Sequence, residues 1–553
     1  MTKEEDQLRG WKEHFQRVLN RDDPATEANI TPAVDLLDIE TEPPNVEEVK
    51  IAIKGLKNGK APGIDIESIP RVQAELLKAE EHQTALALTE ILRDIWTSEE
   101  TPQSWKMGLI VKLPKKGDLS NCNNWRGIML LPVTSKVLSR IILNRLSDTI
   151  DHYLRKEQAG FRKGRSCAEH IFTLRQIIEQ SNEWRATIYI NFIDFAKAFD
   201  SINRTALWKI LSHYGIPNKI ISIIKMLYRD FGAKVICGSN LTEEFIIKTG
   251  VKQGCLLSPL LFSLCIDWLM KETKGNNKRG ISWTFTETLE DIDFADDIAL
   301  LAHRQKDIQG KTEDLATYGK QIGLNINSDK TEVMKINSKS NQPLTINNMN
   351  VEEVQEFTYL GSKITTDGDS GADVKGRINK ARGAFAALRK IWKTSKISIK
   401  TKLRIFKSNV LGVLLYGAES WKVTQTICHK LDVFQTRSLR RILGIFWPRT
   451  ISNEDLYSRT DMRPLSNVIK NRRWMWIGHV CRMDPSAIPR VAMRWTPPGT
   501  RKQGRPKETW RRSVEKEMKQ LGWSWGQVQH WATDRQHWRS LVKTLCATKH
   551  EED

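Results

Sequence analysis

The stretch ATIYINFIDFAKAFDSI (186–202) decides how the rest of the chain is read. Its opening residues are rich in β-branched and aromatic side chains, so they read as a strand ending at Asp194. A second stretch, DIDFADDIALLA (291–302), reads as two short apolar strands joined across Asp296 and Asp297. Adjacent acids at a tight turn repel each other, and a divalent cation offsets that repulsion. Asp194 and the Asp296–Asp297 pair on neighbouring strands would make a hard-oxygen site for Mg²⁺, with substrate phosphates completing the shell. Two such ions ~3.5–4 Å apart serve in-line phosphoryl displacement. Two other readings stand beside this one. Asp favours turns on its own account, so the dipeptide can be a plain polar hairpin. A nuclease could also use the same carboxylates.

Working outward, strands cluster between 186 and 365. Further candidates are 234–237, 244–249, 331–336 and 357–364. Helical spacing precedes them in VEEVKIAIKGL (46–56), in 86–96 and in TSKVLSRIILNRLSDTID, where Thr134 or Ser135 is the expected N-cap. Helices are also expected at 205–214, 219–228, 258–271 and 315–323, and they dominate from 373 to about 444. The class is α+β, with helical outworks around a strand-rich centre.

The chain has 553 residues, 86 Lys+Arg against 66 Asp+Glu, and a formal net charge of +20. That excess points to a polyanion, with nucleic acid the first candidate and an anionic membrane surface the second. The charge is uneven. Residues 1–50 hold 6 basic and 13 acidic side chains, whereas residues 470–512 hold 12 basic and 2 acidic. Eight of the nineteen tryptophans fall in 470–540, interleaved with arginine in NRRWMW and TWRR. Such a surface can neutralise phosphate and stack bases, but tryptophan is also a core filler. No apolar run reaches the ~18–20 residues a spanning helix needs. The longest candidate, 256–270, is broken by Ser258, Pro259 and Asp267. The charged start does not read as a secretory signal, and a nuclear or cytoplasmic location is expected. The eight scattered cysteines read as free thiols, and Cys428-His429 with His479-x-Cys481 does not fit zinc spacing.

In sequence order the chain also shows NGKAPGIDIESIP (58–70), WKMGLIVKLPKKGDLSNCNNWRGIMLLPVTSKVLSRIILNRL (105–146), EQAGFRKGRSCAEHIFTLRQII (157–178) and FIDFAKAFDSI (192–202). GVKQGCLLSPLLFSLCID (250–267), FADDIALLA (294–302), GLNINSDKTEVM (323–334) and EFTYLGSKIT (356–365) follow. This series, with LLYGAESW (414–421) and RRWMWIGHVCRM (472–483) after it, resembles the reverse transcriptases of non-LTR (LINE-type) retrotransposons. The resemblance implies a right-hand polymerase. Its divisions would be an acidic N-terminal linker (1–45), fingers (46–185), palm (186–365), helical thumb (366–450) and a basic Trp-rich region (451–553).

It also implies site residues. Asp194, the Phe195 backbone carbonyl and Asp296 would hold two Mg²⁺ ions, with Mn²⁺ an alternative, and Asp297 would assist. Phe199 would screen the incoming sugar, and Gln253 and Gly254 would position nucleotide and template. Lys115 and Arg126 would hold the triphosphate. Arg162 and Arg165, with Arg472 and Arg473 of the tail, would bind template or primer. Lys330 is a candidate general acid for pyrophosphate. Asp200 is left out of catalysis, as a cap for the helix beginning near Asn203. The implied activity is RNA-directed DNA synthesis from a primer 3′-hydroxyl, with an RNA template, a DNA primer or target DNA, and dNTPs as partners. No membrane partner is expected, and an endonuclease would come from a separate chain or a longer reading frame. The rival expectation is a catalytically silent nucleic-acid-binding relic of the same fold.

Overall fold

A computed structural model of the chain describes residues 4–63, 72–115 and 117–545. Residues 64–70 of the motif at 58–70, and Cys546, lie outside them. Helices and mixed, mainly antiparallel sheets together make the expected α+β class; each five-stranded sheet includes a parallel pair. The chain divides into two compact units, each assembled from separated stretches. The first comprises Met1–Lys163, Ile193–Asn277 and Gly310–Lys330, and the second Gly164–Phe192, Lys278–Gln309 and Thr331–Asp553. Packing therefore does not follow the consecutive divisions expected above.

In the first unit, strand Met107–Pro114 pairs antiparallel with Trp125–Leu130 and parallel with Gly232–Cys237. Helix Ser258–Lys274 starts with proline in its first turn, where the missing N–H costs nothing, and buries Leu261, Phe262, Leu264 and Ile266 completely. Helix Val133–Tyr153 begins after Pro132 rather than at the expected Thr134 or Ser135 cap. Ser135 lies inside the first turn and donates its hydroxyl back to the Pro132 carbonyl at 2.8 Å.

The acidic N-terminus is not a linker. Helix Glu4–Leu19 carries its acids on the outside and buries Phe15, Val18 and Leu19. The Phe15 ring lies against Gly127, where a Cβ would meet it at 2.7 Å. Trp11 stacks on Phe15 and meets Trp125 edge-on at 5.6 Å. The Leu19 carbonyl accepts from Lys248 N and Thr249 N. Beyond the helix, Ala28, Ile30, Leu37 and Ile39 are also buried. An amphipathic helix around Trp11–Leu19 is legible in the sequence, but net charge made the segment read as a linker, because charge is counted over all faces of a helix and burial is decided on one.

In the second unit, a five-stranded sheet runs in the order Glu352–Glu353, Glu332–Ile336, Ile188–Ile193, Asp297–Ala302, Asp291–Phe294. All six residues of the central strand Ile188–Ile193 are buried, which accounts for its five apolar side chains, and Asn191 is buried with them. Helix Cys167–Trp184 supplies Ile171, Phe172, Leu174, Ile177 and Ile178 to the core of this unit. The expected single strand at 357–364 is a hairpin, Glu356–Tyr359 against Ser362–Thr365, folded at Leu360-Gly361 with both φ angles positive. Asp373 anchors the helical part. It accepts from Arg175 Nη2 at 2.9 Å, from Ser362 Oγ at 2.7 Å and from Trp421 Nε1 at 2.9 Å.

The basic tail is not a separate outwork. Trp474, Trp510 and Trp538 are buried in one core with Ile188, Ile190 and Phe192 of the central strand. Leu465 and Ile469 lie in a second core with Val374, Phe406 and Leu431. Gly478 admits the Trp538 ring, where a Cβ would lie 2.1 Å from its Nε1.

Candidate active site

The central strand ends at Ile193, and Asp194 follows it. Residues 325–327 brace this point in the first unit. Asn327 N donates to the Asp194 carbonyl at 2.8 Å, Ala196 N donates to the Asn325 carbonyl at 2.8 Å, and Phe195 bridges Ile326. The Asp194 carboxylate is 42% exposed, and Lys330 Nζ stands 3.8 Å from it. Lys330 is thus a charge partner of Asp194.

The second carboxylate site is a tight hairpin in the second unit. Phe294 pairs with Asp297, so the loop is Ala295-Asp296, and Asp297 begins the outgoing strand instead of sitting in the turn. Ala295 takes φ of +60°, a region that favours glycine and costs a side-chain-bearing residue on the order of 1 kcal/mol. The strands on either side offset that cost, since Ile292, Ile298, Ala299 and Leu300 are all buried. In sheet order the strand beginning at Asp297 is the neighbour of the central strand that leads to Asp194.

Around Asp194 the first unit gathers the basic residues expected of a triphosphate site. Enclosure by the neighbouring chain, then the like charges of Arg126 and Lys330, draw the Lys115 pKa below the usual lysine value. Asp200 and Asp194 push it back. Asp200 is not a helix cap. Asn203 caps helix Arg204–His213 itself, its side chain accepting from Ala206 N. The Asp200 carboxylate accepts from Gln253 Nε2 at 2.9 Å, and burial raises its pKa to about 6 against the opposing pull of Lys197.

Gly254 has φ of +129°, and a Cβ there would lie 2.2 Å from the Met129 carbonyl oxygen. What requires glycine is this approach to the strand Trp125–Leu130, with Met129 N donating to the Gln253 carbonyl at 2.7 Å. Phe199 is half-buried, stacked on Phe262 at 4.2 Å and met edge-on by the exposed Phe161. Lys197 and Arg21 were missed in the sequence. Arg21 Nη2 donates to the Ala196 carbonyl at 3.1 Å, and its segment had read as linker. Lys197 sits within FAKAFD at φ of +57°, a conformation that sequence does not advertise.

Two arginines, Arg162 and Arg473, need correction. Arg162 is not available to a template. Its guanidinium pairs with Asp151 at 2.6 Å and donates to the carbonyls of Arg155, Gln158 and Asp151. Arg473 is buried against Glu517, so it too is internal. Arg472 is exposed, with one N–H donated to the Leu415 carbonyl at 2.8 Å. Arg165, half-buried in the second unit, adds to the burial that lowers the His170 pKa to about 3. The His170 ring meets Phe294 of the aspartate hairpin edge-on.

Residues 113–364 match the reverse transcriptase (RNA-dependent DNA polymerase) family, and residues 384–416 match a domain of unknown function. The probable RNA-directed DNA polymerase from transposon BS of Drosophila melanogaster is 27% identical over 72% of this chain and 44% of its own. A retrovirus-related Pol polyprotein from the type-1 retrotransposable element R2 of Popillia japonica is 26% identical over 72% of this chain and 55% of its own. The RNA-directed DNA polymerase from mobile element jockey of Drosophila melanogaster is 25% identical over 73% and 44%. The chain thus spans about half the length of these relatives, or less. Among solved structures, a telomerase from Candida tropicalis with a fragment of telomeric RNA aligns at a TM-score of 0.36 and 15% identity, over 84% of this chain and 68% of that one. Residues 113–364 therefore form a reverse transcriptase domain, similar in sequence to the RNA-directed DNA polymerases of non-LTR retrotransposons.

Proposed function

We propose that the chain is an RNA-directed DNA polymerase that extends a primer 3′-hydroxyl, at a nicked DNA end, along an RNA template. The observation that carries this reading is the strand order, in which the strand leading to Asp194 neighbours the strand that begins at Asp297. The donor set suits Mg²⁺. Asp194, Asp296 and the Phe195 carbonyl are all hard oxygen donors, and Mg²⁺ is commonly held by one or two carboxylates plus substrate phosphates. Substrate phosphates would supply the remaining oxygen ligands. When bound, the metal supplies the positive charge that favours 3′-hydroxyl attack and eases departure of pyrophosphate.

The chain's own residues do the rest. Lys115 and Arg126 set a positive field for the triphosphate, where fixed cations stabilise developing charge. Lys330 screens Asp194, in place of acting as the acid for pyrophosphate. Phe199, wedged by Phe161 and Phe262, presents a ring too bulky for a 2′-hydroxyl beside it. Gln253 and Gly254 hold the floor of the nucleotide site through Asp200 and Met129. Primer extension on poly-rA/oligo-dT with dTTP tests the reading. Wild type should incorporate dTTP with Mg²⁺ or Mn²⁺, and Asp296→Asn should lower the rate about 10³-fold, the loss expected for several kcal/mol of charge stabilisation. Background incorporation by both proteins overturns the reading in favour of a silent binding relic. Cleavage of the strands without dNTPs overturns it in favour of a nuclease.

A further inference from the structure

The second unit carries a cleft of about 760 Å³ that the polymerase reading leaves unused. One wall is the loop of the hairpin Ile281–Ser282/Thr288–Leu289, and the other is the stretch 490–498 of the basic tail. Trp283 and Trp495 pack together in its wall with ring centroids 5.7 Å apart. The Trp495 Nε1 donates to the Ser282 carbonyl at 2.7 Å, whereas the buried Trp283 Nε1 has no hydrogen-bond partner. The loop is braced from within. Trp283 N and Thr284 N both donate to the Glu287 carbonyl at 3.1 Å, and Glu287 N donates to Thr284 Oγ1. At its tip Phe285 stands fully exposed. A ring held out in water by a hydrogen-bonded loop contributes nothing to the core, and such exposed apolar surface marks a contact site.

The electrostatics name the contact. Arg490 and Arg494 line the cleft, and no Asp or Glu does. Both arginines lie in the stretch of 12 basic and 2 acidic residues. Arg494 also stands 5.8 Å from the Trp525 ring, adding a second aromatic surface beside it. Aromatic faces with arginines and no acids suit a strand that has unpaired flat bases and a phosphate backbone. A duplex keeps its base faces stacked inside, and a peptide has no need of the positive lining. The cleft is wide enough for a base with its sugar.

We propose that this cleft binds single-stranded nucleic acid, with a base stacked on Phe285 and the backbone held by Arg490 and Arg494. The proposal rests on the polymerase reading and deepens it by naming a cleft that grips an unpaired stretch of template or target strand.

Binding of labelled oligo-dT to the full chain tests it, with Phe285→Ala, Phe285→Tyr and Arg494→Ala as variants. Both alanine variants change exposed side chains, so folding is not at stake. Phe285→Ala and Arg494→Ala should each weaken oligo-dT binding about tenfold or more, while Phe285→Tyr, which keeps the ring, should stay near wild type. A blunt duplex should be held equally by wild type and Phe285→Ala. Unchanged oligo-dT affinity in the alanine variants overturns the proposal. Equal losses for oligo-dT and duplex overturn the stacking. Capture of a proline-rich peptide that Phe285→Ala abolishes, with oligo-dT affinity unchanged, overturns it in favour of a peptide groove. Failure of wild type to extend annealed poly-rA/oligo-dT sinks the polymerase reading alone, since oligo-dT affinity still reports on the cleft.

Discussion

Two basic regions of this chain spend their charge in opposite ways. Around Asp194, burial lowers the Lys115 pKa, and the like charges of Arg126 and Lys330 close by lower it further. In the tail, most arginines are already committed. Arg473 pairs with Glu517 and Arg512 with Glu183, while Arg511 donates to the carbonyls of Ala492 and Trp495 and Arg482 to that of Ala532. The tail is far richer in positive residues, yet much of that charge holds the protein together. The comparison teaches that a basic stretch is a binding surface where its cations are not all turned to internal acceptors, as at the exposed Arg494 beside the open cleft. Arg490 donates one N–H to the Met483 carbonyl but still lines that cleft.

The largest effect that can break this contrast is truncation. Removing residues 451–553 strips Trp474, Trp510 and Trp538 from the core they share with the central strand. The truncated chain should lose the cooperative unfolding of the second unit. A soluble truncation that melts cooperatively, measured by thermal circular dichroism, would return the tail to the status of an appendage. Next in size is Arg473→Ala, which leaves the Glu517 carboxylate held by Trp474 Nε1 at 2.7 Å but without its cation. Breaking a buried pair on one side costs on the order of 3 kcal/mol, so urea denaturation should show a loss of that size. The salt dependence of nucleic-acid binding should stay the same, because this arginine faces no phosphate. A flattened salt slope would make Arg473 a contact after all.

Smaller is the effect expected of Lys115→Ala, which should raise KM for dNTP on the order of tenfold with no loss of stability. An unchanged KM would place the triphosphate elsewhere. Smallest is a pH effect at Asp200. Its folded pKa is raised to about 6 by burial, so the native state binds the extra proton and its contribution is full below the ordinary carboxylate range. That contribution is lost as pH rises through about 6. Asp200→Asn keeps an acceptor for Gln253 and should flatten stability between about pH 4 and 6, seen in melting temperatures across that range. A parent protein with no slope there would mean that Asp200 is charged throughout.

What could be read from residues in order was local. The strand IYINFI before Asp194, apolar but for Asn191, the paired apolar strands around Asp296-Asp297 and the helical stripes each declare themselves within a few positions, because strand and helix periods are short. The motif order carried the family in the same way. The tertiary structure decided which charges meet. Asp151 claims Arg162 from 11 residues away and Glu517 claims Arg473 from 44, while Gln253 reaches Asp200 across 53. Nothing near each residue in sequence announces its partner, because a long polar side chain is satisfied by whatever acceptor the fold brings within about 3 Å. The acidic start makes the same point. Sequence showed its charge and an amphipathic helix around Trp11–Leu19, and only packing showed what that helix is buried against, with the Phe15 ring on Gly127.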